Sequence, residues 1–176
     1  MSESTTPADW LLQLQTAVLA RLLASAYLVS ITKKIEIGLI LPIQDQDINV
    51  PECPYLGFKA MGYSKHLGKV EGYAAGYSVH DVFMRIDGRC AGGKQTDVRD
   101  ELLLLISTLG VVLGARRENN PYGFHVGGAQ AVLLIPGGGY ISRLSAPRKG
   151  VGSWIGELEY TWETRVRLAN NYLVTA

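Results

Sequence analysis

A chain of 176 residues with 47% hydrophobic and 19% charged side chains can enclose a substantial core, which excludes wholesale disorder. Its formal net charge of +1 gives no support to electrostatic capture of nucleic acid, because phosphate binding needs a concentrated basic patch. The 20 glycines predict frequent turns and long loops rather than a helical bundle, and two cysteines are too few for a disulfide framework.

Cys53 and Cys90 lie in no CxxC pattern and read as reduced thiols, with a single bridge between them left open. The amino terminus is acidic where a secretory signal needs a basic region. The longest apolar runs, residues 102–113 and the stretch after Trp10, are too short or too polar to span a bilayer, so a soluble protein is expected.

Thr6 as a cap, Pro7 at the first helical position and Asp9 in the first turn predict a helix. Leu11, Leu14, Val18 and Leu22 recur on one face, Asp9, Gln13, Thr16 and Arg21 on the other, and the helix is expected to end between Ser25 and Tyr27. Residues 30–41 follow as a strand, with Ile35, Ile37 and Leu39 alternating against Lys34, Glu36 and Gly38. Residues 42–54 hold three prolines and read as a loop, residues 55–63 as a second strand, and residues 64–76 as an exposed hairpin or loop.

Residues 77–87 form a firmer strand. His80, Val82, Met84 and Ile86 share one face, while Val79, Asp81, Phe83 and Arg85 share the other. Residues 88–95 read as a turn, after which Thr96 caps a second helix with Asp97 and Asp100 in its first turn. Val98, Leu102, Leu105, Ile106 and Leu109 make its core stripe, and Gly110 marks its end. Leu103 and Leu104 extend the apolar surface around much of the circumference, so this helix must be covered on more than one side, by the sheet and the first helix or by a neighbouring subunit.

Residues 116–123 are polar and turn-rich. Residues 124–135 read as a strand that begins with a Gly127-Gly128 break and is ended by Gly137, Gly138 and Gly139. A long loop over residues 140–153 then carries Arg143, Arg148 and Lys149. The last strand has the clearest pattern: Leu158, Tyr160, Trp162, Val166 and Leu168 alternate with Glu157, Glu159, Glu163, Arg165 and Arg167. At ~3.3 Å per residue, about twelve residues span roughly 35–40 Å, and a strand of that length is expected to project beyond its own domain. The fold class is therefore α+β: one domain over residues 1–176, a mixed, mostly antiparallel sheet packed by two helices, with long loops and an extended carboxy-terminal strand.

Motifs for chemistry are weak. Gly88-Arg89-Cys90-Ala91-Gly92-Gly93-Lys94 approaches a phosphate-cradling loop, but Gln95 stands where a magnesium-binding hydroxyl is needed, and a tight strand-to-helix turn explains the glycines. His66, His80 and His125 show no metal spacing, and nothing local joins a histidine to Cys90 as a nucleophilic site. Glu159 and Glu163 would stand about 13 Å apart along a strand, too far for a glycosidase pair. With Arg165 and Arg167 on the same face, a salt-bridged ladder with an adjacent strand or subunit explains these charges more simply. Arg143, Arg148 and Lys149, with Arg116 and Arg117, suit a partner-docking loop at least as well as a DNA contact. No catalytic residue, cofactor or metal site is expected.

The order of these elements resembles that of the tail-terminator proteins of long-tailed bacteriophages. The pattern comprises an amino-terminal helix, a β-rich stretch entered through Pro54 and Tyr55, a strand through Val82 to a leucine-rich helix, and a long alternating strand at the end; it runs over most of the chain. The resemblance implies a hexameric ring that stops tube growth at the head-proximal end of the tail, presents a surface to the neck and, in contractile tails, meets the last sheath ring. It would be made in the host cytoplasm and built into the virion. Partners would be further copies of itself, tail tube protein, neck or connector proteins and possible sheath protein, with no membrane, and DNA only as genome passing through the lumen. On that reading Leu103, Leu104, Glu157, Glu159, Glu163, Arg165 and Arg167 would face a subunit or partner, and Arg143, Arg148 and Lys149 a partner or DNA. The chain is longer than the smallest members, the extra length falling around residues 64–76 and 140–153. Alternatives are another neck, tube or baseplate subunit, or a small ligand- or nucleotide-binding enzyme.

Overall fold

A computed structural model describes residues 10–38, 52–65, 77–114, 122, 124–126, 129–148 and 152–169. The first apolar stripe folds as its spacing requires: α1 (Trp10–Leu23) buries Trp10, Leu14, Val18 and Leu22. The cap assigned to Thr6, Pro7 and Asp9 lies outside the described residues.

Beyond α1 the structure departs from the expected strand. Ser25 caps a short second helix, α2 (Ala26–Ile31), its hydroxyl accepting from the Leu28 N–H, and Leu28 is fully buried. The helices among the described residues are therefore three rather than two, and Ser30 and Ile31 are helical. The alternation survives only as β1 (Lys34–Ile37); Leu39 and the loop residues 42–51 lie outside the described residues. The described strands form one sheet in the order β1-β2-β3-β6-β5-β4, built with β2 (Tyr55–Lys65), β3 (Tyr77–Gly92), β4 (His125–Val126), β5 (Ala129–Ser145) and β6 (Trp154–Ala169). The β1–β2 pair is parallel and every other pair antiparallel. The protein is α+β.

The long alternating strand does not project. All of β6 pairs with β3, from Trp154 opposite Gly92 to Ala169 opposite Tyr77, and β5 lies along its other edge. Its length comes from being central: it has neighbours on both sides, pairing with β3 along the whole run and with β5 along most of it.

Further boundaries move, those of β3 and β5 for steric reasons. β3 runs through Gly88 to Gly92, where a turn was expected, because Gly88 faces the core: a Cβ there would meet Leu158 Cγ at 2.7 Å and Leu56 Cδ2 at 2.8 Å. β5 continues through Gly137 to Gly139, which were expected to end it. A register shift between Ile135 and Gly138 takes up Pro136, which has no N–H to give the ladder, and Gly137, whose Cβ would fall 1.5 Å from the Thr161 carbonyl oxygen. The expected loop over residues 140–153 shrinks accordingly, since residues up to Ser145 are strand. Finally, α3 (Gln95–Val112) starts with Lys94 at its cap position and no side-chain cap, so Thr96 sits inside the first turn, and the helix passes Gly110.

The helices cover one face of the sheet. Val98, Leu102, Leu105 and Leu109 of α3 pack with Leu158, Tyr160, Trp162, Val166 and Leu168 of β6, and the buried face of α1 joins the same cluster. Contact is closest at Gly156, where a Cβ would lie 2.5 Å from Leu102 Cδ1. Gln15 Oε1 accepts from the Ala60 N–H, and the Arg21 guanidinium donates to the Val112 carbonyl, tying α1 to the sheet and to α3. Beneath them the Trp162 indole N–H donates to the Tyr122 hydroxyl, itself 2.8 Å from the Thr164 hydroxyl, so this buried polar pair is satisfied. Among the described residues, no helix is long and apolar enough to cross a membrane.

Candidate functional site

The glycine segment that approached a phosphate loop is not a loop. Gly88 to Gly92 are strand residues paired on β6, so their N–H groups cannot converge on a phosphate. Cys90 is fully buried, burial pushing its thiol well up and out of reach as a nucleophile; Cys53 is buried and shifted the same way. Both thiols are free, so the bridge that the sequence left open is not formed. His80 faces the core, edge-on to Tyr63 at 5.3 Å, with Nε2 3.1 Å from the Ser78 hydroxyl, and burial lowers its pKa. His66 lies outside the described residues, and among the described residues no group of His, Cys, Asp or Glu is placed to hold a metal.

The charges of β6 stand on the sheet face opposite the helices, and β3 answers most of them. Arg89 pairs with Glu157 at 2.7 Å, Arg85 with Glu159 at 3.0 Å and with Asp87 at 2.8 Å, and Arg165 with Asp81 at 2.7 Å. The expected ladder is therefore satisfied within the chain, by the adjacent strand. Burial pushes the Asp87 carboxyl upward against the opposing pull of Arg85. Arg167 donates to Gln130 and lies 4.9 Å over the Tyr77 ring.

Glu163 differs. Its cross-strand neighbours are Phe83 and Ile135, and among the described residues it has no hydrogen bond or ion pair. It lines a groove of about 380 Å³ with Met61, Phe83, Arg85, Ile135 and Glu159. Two interruptions of register bound this groove. One is at Met61, between Ala60 and Gly62, where Gly62 takes a φ of +152° that favours glycine; the other is at Pro136 and Gly137.

The expected basic loop separates. Arg143 belongs to β5, its guanidinium bonded to the Ser145 hydroxyl at 2.7 Å; Arg148 follows in the connection to β6, and Lys149, Arg116 and Arg117 lie outside the described residues.

On the helical side the surface is unusually apolar. Leu103 and Leu104 are 49% and 40% exposed, and Val111, a turn or two further along the same stripe, is 78% exposed. α1 adds Leu12 and Leu23, α2 adds Tyr27 and Val29, and the 14 residues of α1 carry one charge, Arg21. A helix facing only water normally presents charges there. The sequence pointed to Leu103 and Leu104; it did not single out Val111, Leu12 or Leu23, although their helical spacing from the buried stripe was the available signal. Met61 and Ile135 were missed because register interruptions, invisible in a composition pattern, bring them beside Glu163.

Taken together, these features define an α+β protein with a charge-paired sheet face that no described helix covers and an apolar helical back. No protein-family model matches the chain, and no curated protein matches its sequence.

Proposed function

We propose that this protein is a structural, non-enzymatic subunit of a phage virion that associates with copies of itself into a ring at the head-proximal end of the tail. The carrying observation is the apolar outward face of the helices at Leu103, Leu104, Val111, Leu12 and Leu23, set behind a sheet whose opposite face carries no described helix and is largely charge-paired within the chain. Two unlike, non-self-complementary surfaces on opposite sides of a subunit favour head-to-tail contacts, and head-to-tail contacts that close give rings. The tail assignment rests on the order of elements that resembles tail terminators; tube, neck and sheath proteins would be the partners on that reading. A different neck, tube or baseplate position would use the same surfaces.

Light scattering or native mass measurement, with and without tail tube protein, tests the ring. A defined oligomer near six copies is expected, and Leu103→Glu combined with Leu104→Glu should reduce it to monomer while leaving the circular dichroism unchanged. A protein that stays monomeric up to ~100 μM, alone and on tubes, overturns the reading. Labelling the subunit in electron micrographs of assembled tails separates the terminator position from a tube or baseplate one.

A further inference from the structure

We propose that the groove around Glu163 receives the Arg99 side chain of a neighbouring copy of this chain, so that α3 of one subunit lies on the open sheet face of the next. The inference rests on the self-association proposed above and names the contact that would carry it.

Three observations converge on this contact. First, Glu163 is the unanswered acid of the ladder: Glu157, Glu159 and Asp81 each meet an arginine, whereas Glu163 stands between Phe83 and Ile135 with no cation among the described residues. A half-buried carboxylate beside apolar neighbours has lost water without gaining a partner, and a cation relieves that cost. Second, the groove is built to hold more than charge. One cation, Arg85, stands against two carboxylates, Glu159 and Glu163, leaving a formal charge of −1. Met61 and Phe83 remain 52% and 41% exposed, offering an apolar bed for an aliphatic stem and an aromatic face for a guanidinium. Lys59, cross-strand from Arg85, is not among the residues that line the groove. An anion would meet net repulsion, and a neutral apolar group would bury Glu163 still unpaired.

Third, the complementary surface is present on the same chain. Arg99 is one helical turn before Leu103 on the outward side of α3; it is exposed and bonded to its equally exposed neighbour Asp100, a pairing that holds it weakly. Once it exchanges Asp100 for Glu163, Arg99 presents a cation beside the apolar Leu103 and Leu104, and the groove presents an acid beside apolar side chains. The contact is heterologous and gives the sheet a second helical layer, from the neighbour.

Charge exchange tests the pairing under whichever condition assembles the unaltered protein. Arg99→Glu and Glu163→Arg should each raise the subunit dissociation constant at least tenfold, Glu163→Gln should do so to a smaller extent, and combining Arg99→Glu with Glu163→Arg should restore most of the affinity. Thermal melting of each variant confirms that the fold is intact, and Glu163→Gln, nearly isosteric, keeps the test open should Glu163→Arg misfold. If the unaltered protein assembles and the single exchanges leave its mass unchanged, or if the double exchange fails to recover it, this contact is wrong while the ring stands. If no condition yields an oligomer, the ring and the contact both fail.

Discussion

Arg89 is 4% exposed, its partner Glu157 lies 2.7 Å away, and its Nε has no hydrogen-bond partner among the described residues. Removing one member of such a pair leaves a buried charge, which costs far more than the pair itself contributes. Glu157→Gln should therefore lower the unfolding free energy by about 3 kcal/mol, whereas Arg89→Met combined with Glu157→Leu should recover most of it; urea titrations read both. His80 carries a pH dependence. Burial, the larger cause, and Lys65 lower its pKa below the ordinary 6.5, and its Nδ1 is buried without a hydrogen-bond partner among the described residues. The unfolded chain then takes the proton first, so stability is retained above pH 6.5 and falls as the pH drops through 6.5 toward the lower folded value. Melting curves from pH 7.5 to 5 should show that fall, and His80→Phe should reduce it; an unchanged slope would count against the buried neutral imidazole. Period-two alternation identified which residues share a face, His80 with Val82 and Arg85 with Phe83, because that is fixed by strand geometry. It could not say which charges would meet, since pairing depends on register between strands distant in sequence.

At the level of elements, β5 shows why glycine runs mislead. Gly137 to Gly139 were expected to end a strand, yet they lie inside it, Gly137 because the Thr161 carbonyl occupies the space of a side chain, and Gly138 with no described atom within 4 Å of where a Cβ would stand. Gly137→Ala should cost about 2–4 kcal/mol and Gly138→Ala about 0.5 kcal/mol or less, measured by chemical denaturation; equal effects would contradict the close approach. α1, the core stripe of α3 and β6 were legible because each repeats one period over many residues. α2 was not: six residues give too short a pattern, and its signal was one capping serine. The groove was illegible for a related reason, because both its walls are register shifts, set by tertiary pairing rather than by local preference.

For the whole molecule, an apolar helical back and a charged sheet front stand on opposite sides, and the proposed self-association draws on both. Leu103→Glu with Val111→Glu should change stability by less than about 1 kcal/mol, since both side chains are exposed, yet suppress concentration-dependent association in sedimentation runs. Association that survives both changes would move the interface elsewhere. The sheet order has a separate consequence for how the protein is made. Among the described strands, β3 and β5 are joined through β6, which follows both in the chain. Until it emerges, a nascent chain carries two half-sheets with bare edges and an unroofed α3, so translation arrested before Trp154 should leave a product that proteases digest and chaperones retain.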